Sequence, residues 1–122
     1  MSQIVDGFVH PIPKAKLDSY KPLVAKVAAI WKEHGALEYW ECVATENQIE
    51  GLKVFDDAIS LKEDEVTMFG WMLFGSEESR AIAHEKVPAD PRMTELMESA
   101  NVGFDVSRMV YGVFQPIVPT QA

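Results

Sequence analysis

Between Ile4 and Ala44 the spacing of apolar residues changes from two to three-and-four and back to two, so the chain must lay a helix between strands. The stretch from Ile4 to Ile12 is rich in β-formers and carries a proline near its end, which predicts a strand. From about Lys14 the period lengthens, and Leu17, Tyr20, Val24, Val27 and Trp31 form the apolar stripe of a helix. Gly35 is the expected C-terminal cap, with Lys32 and His34 in the last turn, where positive charge suits the helix dipole. Pro22 has no N–H to donate, so either a kink falls there or the regular helix begins near it.

Alternation returns from Ala36 to Ala44 and from Glu65 to Phe74, predicting second and third strands. The intervening Thr45–Asp64 segment is too long for a structureless loop in a compact domain, and predicts a short extra strand around Leu52 to Phe55 or a functional flap. Ser76, followed by Glu77 and Glu78, starts a second helix that runs to the interruption at Pro88. Asp90 as N-cap and Pro91 at the first helical position restart it, with Met93, Leu96, Met97 and Ala100 as a core-facing stripe. A fourth strand is expected from Arg108 to about Gln115. The order β-α-β-β-α-β predicts an α+β fold: a ferredoxin-like two-layer sandwich with a four-stranded antiparallel sheet. A chain of 122 residues can bury one core without a metal or disulfide, so a single domain over residues 1–122 is expected.

Charge and cysteine usage narrow the partners. Nineteen acidic residues against eleven Lys and Arg give a net charge of −8, which repels a phosphate backbone and argues against nucleic acid. No run approaches the roughly 18 apolar residues of a membrane span, and the start lacks a basic-then-apolar export pattern, so no membrane partner and a cytoplasmic location are expected. Cys42 has no second cysteine to pair with, fits a reducing compartment, and reads as a small buried hydrophobe rather than a nucleophile. No glycine-rich phosphate loop, G-x-S-x-G elbow or zinc-ligand spacing is present, and neither a metal nor a cofactor is expected.

Residues two apart on a strand share a face. One parity collects Gly7, Cys42, Gly70 and Gly112 beside Val5, Val9, Met72, Val110 and Phe114, and its small residues predict the helix-covered side. The other collects Asp6, Phe8, His10, Tyr39, Glu41, Phe69, Trp71, Met109, Tyr111 and Val113, and is expected to be uncovered. An uncovered aromatic face predicts self-association, with two sheets stacked face to face in a homodimer and Asp6, His10, Glu41 and the tyrosines between them. Asp6, His10, Tyr39, Glu41, Trp71 and Tyr111 are therefore the candidate ligand-binding residues. Asp6 and Glu41 suit either an acid–base carboxylate pair or structural partners at a dimer seam, and His10 is a possible base with no identified partner. Tyr39, Trp71 and Tyr111 suit stacking on a planar ligand or an interface. His34 is assigned to the helix end, and His84 to a solvent-facing helix position.

Several motifs occur in order along nearly the whole chain: Val5-Asp-Gly-Phe-Val-x-Pro-Ile-Pro-Lys14, Trp31-Lys-Glu-His-Gly-Ala-Leu-Glu-Tyr-x-Glu-Cys-Val43, Ala89-Asp-Pro-Arg92 and Phe104-Asp-x-x-Arg-Met-x-Tyr-Gly112. Together they resemble the YbaA-like bacterial proteins of unknown function, with Pro22 and Trp40 as departures. That family looks related to the dimeric α+β-barrel proteins, which include cofactor-free monooxygenases, haem-degrading enzymes and isomerases. The resemblance implies a dimer and a cavity between sheet and helices, but no catalytic motif transfers residue by residue and no single reaction follows from the fold. The functional expectation is a homodimeric domain holding a small molecule beside the sheet. The alternatives are a cofactor-independent oxygenase or isomerase, and a protein-interaction module using residues 45–64.

Overall fold

A computed structural model of the protein describes residues 2–45, 49–100 and 105–118. Strand β1 (Ile4–Pro13) leads through a 3₁₀ turn, Lys14–Lys16, into α1 (Leu17–Glu33), and the chain returns as β2 (Glu38–Val43). A short helix α2 (Phe55–Ala58) precedes β3 (Glu65–Phe74). Helices α3 (Glu77–Ala89) and α4 (Pro91–Ser99) follow, then a 3₁₀ turn, Val106–Arg108, and β4 (Val110–Phe114). The four strands form one sheet in the order β2-β3-β1-β4 with all neighbouring pairs antiparallel. That is the ferredoxin-like arrangement expected from the element order.

The helix boundaries follow their capping chemistry. The Ala36 N–H bonds to the Trp31 carbonyl and the Gly35 N–H to that of Lys32, closing α1 in a Schellman motif with Gly35 at φ +123°. Helix α1 begins at Leu17 and is continuous through Pro22, so the proline does not mark its start. Ser76 caps α3 by accepting from the Ser79 N–H, and the Asp90 carboxylate caps α4 by accepting from the Arg92 N–H, with Pro91 at the first position. Asp90 also joins His34, at 2.9 Å, and Arg92, which reaches Glu33, so one network ties the end of α1 to the α3–α4 corner. Hydrogen bonds from Arg92, then His34, hold the Asp90 carboxyl well below the usual carboxylate range.

The faces of the sheet differ from the sequence expectation. Ile4, Asp6, Phe8, His10 and Ile12 are buried on the helix-covered side, and their cross-strand neighbours Met68, Gly70, Met72 and Phe74 share it. In the sheet register Tyr39, Glu41, Tyr111 and Val113 fall on that side as well. The opposite face, left bare by α1, α3 and α4 and covered by α2 only at its Thr67–Phe69 end, instead carries Val5, Gly7, Val9, Cys42, Val110, Gly112 and Phe114, together with Phe69 and Trp71. The grouping by parity therefore holds for β1, β2 and β4, fails by one residue for β3, and belongs to the opposite side of the sheet. Small residues misled because they make room for rings rather than helices. A Cβ at Gly112 would lie 2.8 Å, and one at Gly7 3.2 Å, from the Phe114 ring, while a Cβ at Gly70 would lie 2.6 Å from the Phe8 ring. Cys42, expected to be buried, is exposed on the bare face.

On the helix side the core is split. Ile4, Ala36, Met72, Phe74 and Ala83 pack at one end, and Ile12, Tyr20 and Met68 at the other. In the middle of β1 the polar Asp6 and His10 stand on either side of Phe8, so the apolar layer is interrupted there. The predicted extra strand around Leu52 to Phe55 is absent. Residues 52–54 carry no regular structure and α2 follows, placing the Phe55 ring edge-on to Phe69 at 5.5 Å and Asp56 against the Thr67 hydroxyl.

Candidate functional site

Between the two halves of the core lies a cavity of about 1000 Å³, walled by the helix side of the sheet and by α1, α3 and α4. Its apolar surface comes from Val24, Val27 and Trp31 of α1, Val87 of α3, and Met93 and Met97 of α4. The latter two were expected as ordinary core. Two polar clusters sit on the sheet wall, each centred on a buried carboxylate from a different strand.

The first is built on Glu41 of β2. Its Oε1 accepts from the Tyr39 hydroxyl at 2.9 Å, while Oε2 accepts from the Tyr20 hydroxyl and lies 3.2 Å from His10 Nε2. Alternation puts Tyr39 and Glu41 on one side of β2, and the α1 stripe turns Tyr20 inward, so the hydroxyls converge from strand and helix. Burial first, then the Glu41 charge and its hydrogen bond, push the Tyr20 and Tyr39 hydroxyls above the usual tyrosine range, so both remain protonated donors. His10 also lies edge-on to Tyr20 and stacks with Phe8, at centroid distances of 5.9 and 6.1 Å.

The second is built on Asp6 of β1. Arg80 Nε donates to Oδ1 at 2.9 Å, His84 Nε2 lies 2.8 Å from Oδ2, and the Tyr111 hydroxyl donates to Oδ1 while accepting from Arg80 Nη2 at 2.6 Å. Burial alone would lower the Arg80 pKa, but its bonds to Asp6 and Tyr111 outweigh that and raise it. The Tyr111 hydroxyl is raised by burial and by Asp6, with Arg80 opposing. Asp6 itself lies behind the cavity wall, whereas His84 and Tyr111 reach the cavity. His84 packs edge-on to Trp31 at 5.0 Å, so its expected solvent-facing position is corrected: four residues beyond Arg80, it shares that residue's inward face of α3.

Of the six residues singled out from the sequence, His10, Tyr39, Glu41 and Tyr111 line the cavity and Asp6 supports it from behind. Trp71 does not belong with them, because it lies on the bare face stacked on Trp40 at 5.7 Å. Tyr20, Trp31, Arg80 and His84 also belong to the site and were not among the residues expected there. Tyr20 and Trp31 stand in the α1 stripe, and the i, i+4 pair Arg80 and His84 flanks buried Ala83 and precedes buried Val87, so the helical period carried the signal. Among the described residues no three His, Cys, Asp or Glu side chains converge as a metal ion would require. None of the described helices is long and apolar enough to cross a membrane.

Comparison with known proteins bears on both fold and kinship. A NIPSNAP family protein of unknown function from Agrobacterium tumefaciens aligns over 96% of this chain and 92% of its own, with TM-score 0.63 and 15% identity. A mutant of SnoaB, a cofactor-independent oxygenase from Streptomyces nogalater, aligns over 98% and 100%, with TM-score 0.58 and 10% identity. A dimeric ferredoxin-like protein from an uncultured marine organism aligns over the full length of both chains, with TM-score 0.51 and 10% identity. At these identities the likeness is one of fold. Kinship rests on sequence: the uncharacterized protein YbaA of Escherichia coli K12 is 40% identical over 114 residues, covering 93% of this chain and 96% of YbaA. The family model described as protein of unknown function DUF1428 matches residues 3–106, and the chain belongs to that family.

Proposed function

We propose that this protein is a homodimer that binds a small, largely apolar molecule in the cavity between its sheet and helices. The observation that carries the reading is the cavity itself, whose roughly 1000 Å³ lies at the upper end of the range for small-molecule sites. Apolar walls with hydrogen-bonding groups gathered at one side are the usual construction of such a site, the walls supplying affinity and the polar groups orientation. Self-association is supported by the opposite side of the sheet, where Trp40, Phe69 and Trp71 form a continuous aromatic patch flanked by Val110 and Phe114. A second copy covers such a patch without requiring another gene product, and a neighbour in fold is dimeric.

A native mass spectrum of gently purified protein beside a denatured one tests both parts. A dimer carrying extra mass, lost when Val27→Trp fills the cavity, is the expected result. A bare dimer that also fails to take up a hydrophobic fluorophore would overturn the binding reading, and a monomer would overturn the dimer.

One observation favours a catalytic version of the same site. His84, on the cavity wall, holds Nε2 2.8 Å from Asp6 Oδ2; in the tautomer that donates Nε2–H to this carboxylate, Nδ1 is the ring atom left to accept a proton. A carboxylate-oriented base beside an apolar pocket suits deprotonation of an activated phenol or carbon acid, the opening step of a cofactor-independent oxygenase or an isomerase. Turnover of such a substrate, lost in His84→Gln, is expected on this reading; substrate that binds without turning over would reduce the site to binding alone.

A further inference from the structure

The buried carboxylates of the chain are unevenly paired. Asp6, Glu65 and Asp90 have side chains 0%, 9% and 9% exposed, and each is paired with an arginine: Arg80 at 2.9 Å, Arg108 at 2.9 Å and Arg92 at 2.8 Å. These are the three arginines of the chain. Glu41, with its side chain 4% exposed, is just as deeply placed but has no lysine or arginine within ion-pair distance; its partners are two neutral hydroxyls and His10. A buried carboxylate held by hydrogen bonds without a permanent cation leaves part of the desolvation of its charge uncompensated.

No permanent cation stands elsewhere in the lining, and its second histidine, His84, is taken up by Asp6. Neither lysine nor arginine lines the cavity, every lysine and arginine of the chain lies within the described residues, and a second carboxylate, Glu98 of α4, stands at the wall. The lining is instead aromatic and sulfur-bearing, with Phe8, Tyr39, Trp31, Met93 and Met97 among it. Aromatic faces attract cations through their quadrupoles and also bury hydrocarbon favourably. Glu41 has hydrogen-bonding capacity to spare. Of about four lone-pair positions on a carboxylate, Oε1 uses one for Tyr39 and Oε2 two for Tyr20 and His10. The phenolic oxygens of Tyr20 and Tyr39, held as hydroxyls, are further acceptors.

Building on the binding reading above, we infer that the ligand of this cavity is an apolar amine in its protonated form, its ammonium group held by Glu41 and the neighbouring tyrosyl oxygens and its hydrocarbon body along Trp31, Met93 and Met97. An ammonium group brings the charge that Glu41 lacks. A carboxylate or phosphate ligand would enter a site with two carboxylates on its wall and no lysine or arginine to receive it.

The test uses three probes of one shape, naphthylmethylamine, naphthylmethanol and naphthoate, titrated into the full chain by calorimetry. The amine is expected to bind about tenfold more tightly than the alcohol, because only the ammonium group places a full positive charge opposite Glu41, and naphthoate more weakly than either. In Glu41→Gln the gap between amine and alcohol is expected to close, because the charge that separates them is gone. The wild-type ranking decides the matter even if that variant fails to fold. Equal binding of amine and alcohol, or preference for naphthoate, would overturn the amine assignment and leave the small-molecule pocket standing. Failure of all three probes would overturn both.

Discussion

Asp6 has no contact with solvent, and its two oxygens serve three partners drawn from α3 and β4. Removing such a carboxylate leaves the groups that faced it without an acceptor, and breaking a buried pair from one side costs about 3–5 kcal/mol. Arg80 is about a quarter exposed and can turn its guanidinium to water, so Asp6→Ala belongs at the lower end, about 3 kcal/mol by urea denaturation. A loss under about 1 kcal/mol, the size of one ordinary hydrogen bond, would show that the cluster adds little to stability. At this scale the sequence was informative about type and poor about direction. Asp6, His10, Tyr39, Glu41 and Tyr111 stood out because ionisable and phenolic groups interrupt apolar alternation, yet their partners Arg80 and His84 lie 74 and 78 residues from Asp6. Without those partners in view, a strand face carrying Asp and His reads as turned away from the helices, since burying unpaired charge is costly.

Element boundaries were more legible than element faces. Strand β3 begins and ends where alternation placed it, and the caps at Gly35, Ser76 and Asp90 are local signals that need no tertiary information. Faces are relational. A tight hairpin would have carried the parity of β2 into β3, but residues 44–64 separate those strands, so nothing local fixed which side Trp71 would take. The same segment is tied down at its end by Glu65, whose carboxylate receives the Arg108 guanidinium from the turn before β4, while Arg108 also reaches the Ser60 carbonyl. Hydrogen bonding from Arg108 holds the Glu65 carboxyl at about 2, against its ordinary 4.5, with burial opposing. Because the folded-state value is depressed, the stabilisation is fully present above pH 4.5 and disappears as pH falls through about 2. Arg108→Met should therefore be less stable than wild type by a constant margin near neutrality, and the margin should shrink as the pH is lowered from 4.5 towards 2. Denaturant titrations across that range supply the check; a margin independent of pH would mean that Arg108 acts through packing alone.

On the scale of the molecule, the two sides of the sheet divide the work. The helix side encloses the cavity, and the bare side presents Trp40, Phe69 and Trp71. A charge placed in that patch by Trp71→Glu should convert a dimer to a monomer in light scattering while leaving cavity binding intact, because Trp71 points away from the cavity. Loss of binding together with the dimer would instead mean that the second copy helps to form the site. Strand order has a further consequence, in time rather than space. Strand β4 pairs along β1, and Tyr111 closes on Asp6 across 105 positions of sequence. At roughly 5–20 residues per second, a ribosome that has made Asp6 needs roughly 5–20 s to reach its tyrosine. Throughout that interval β1 has an unpaired edge, and the chain must keep that edge from other strands until synthesis of β4 ends the wait.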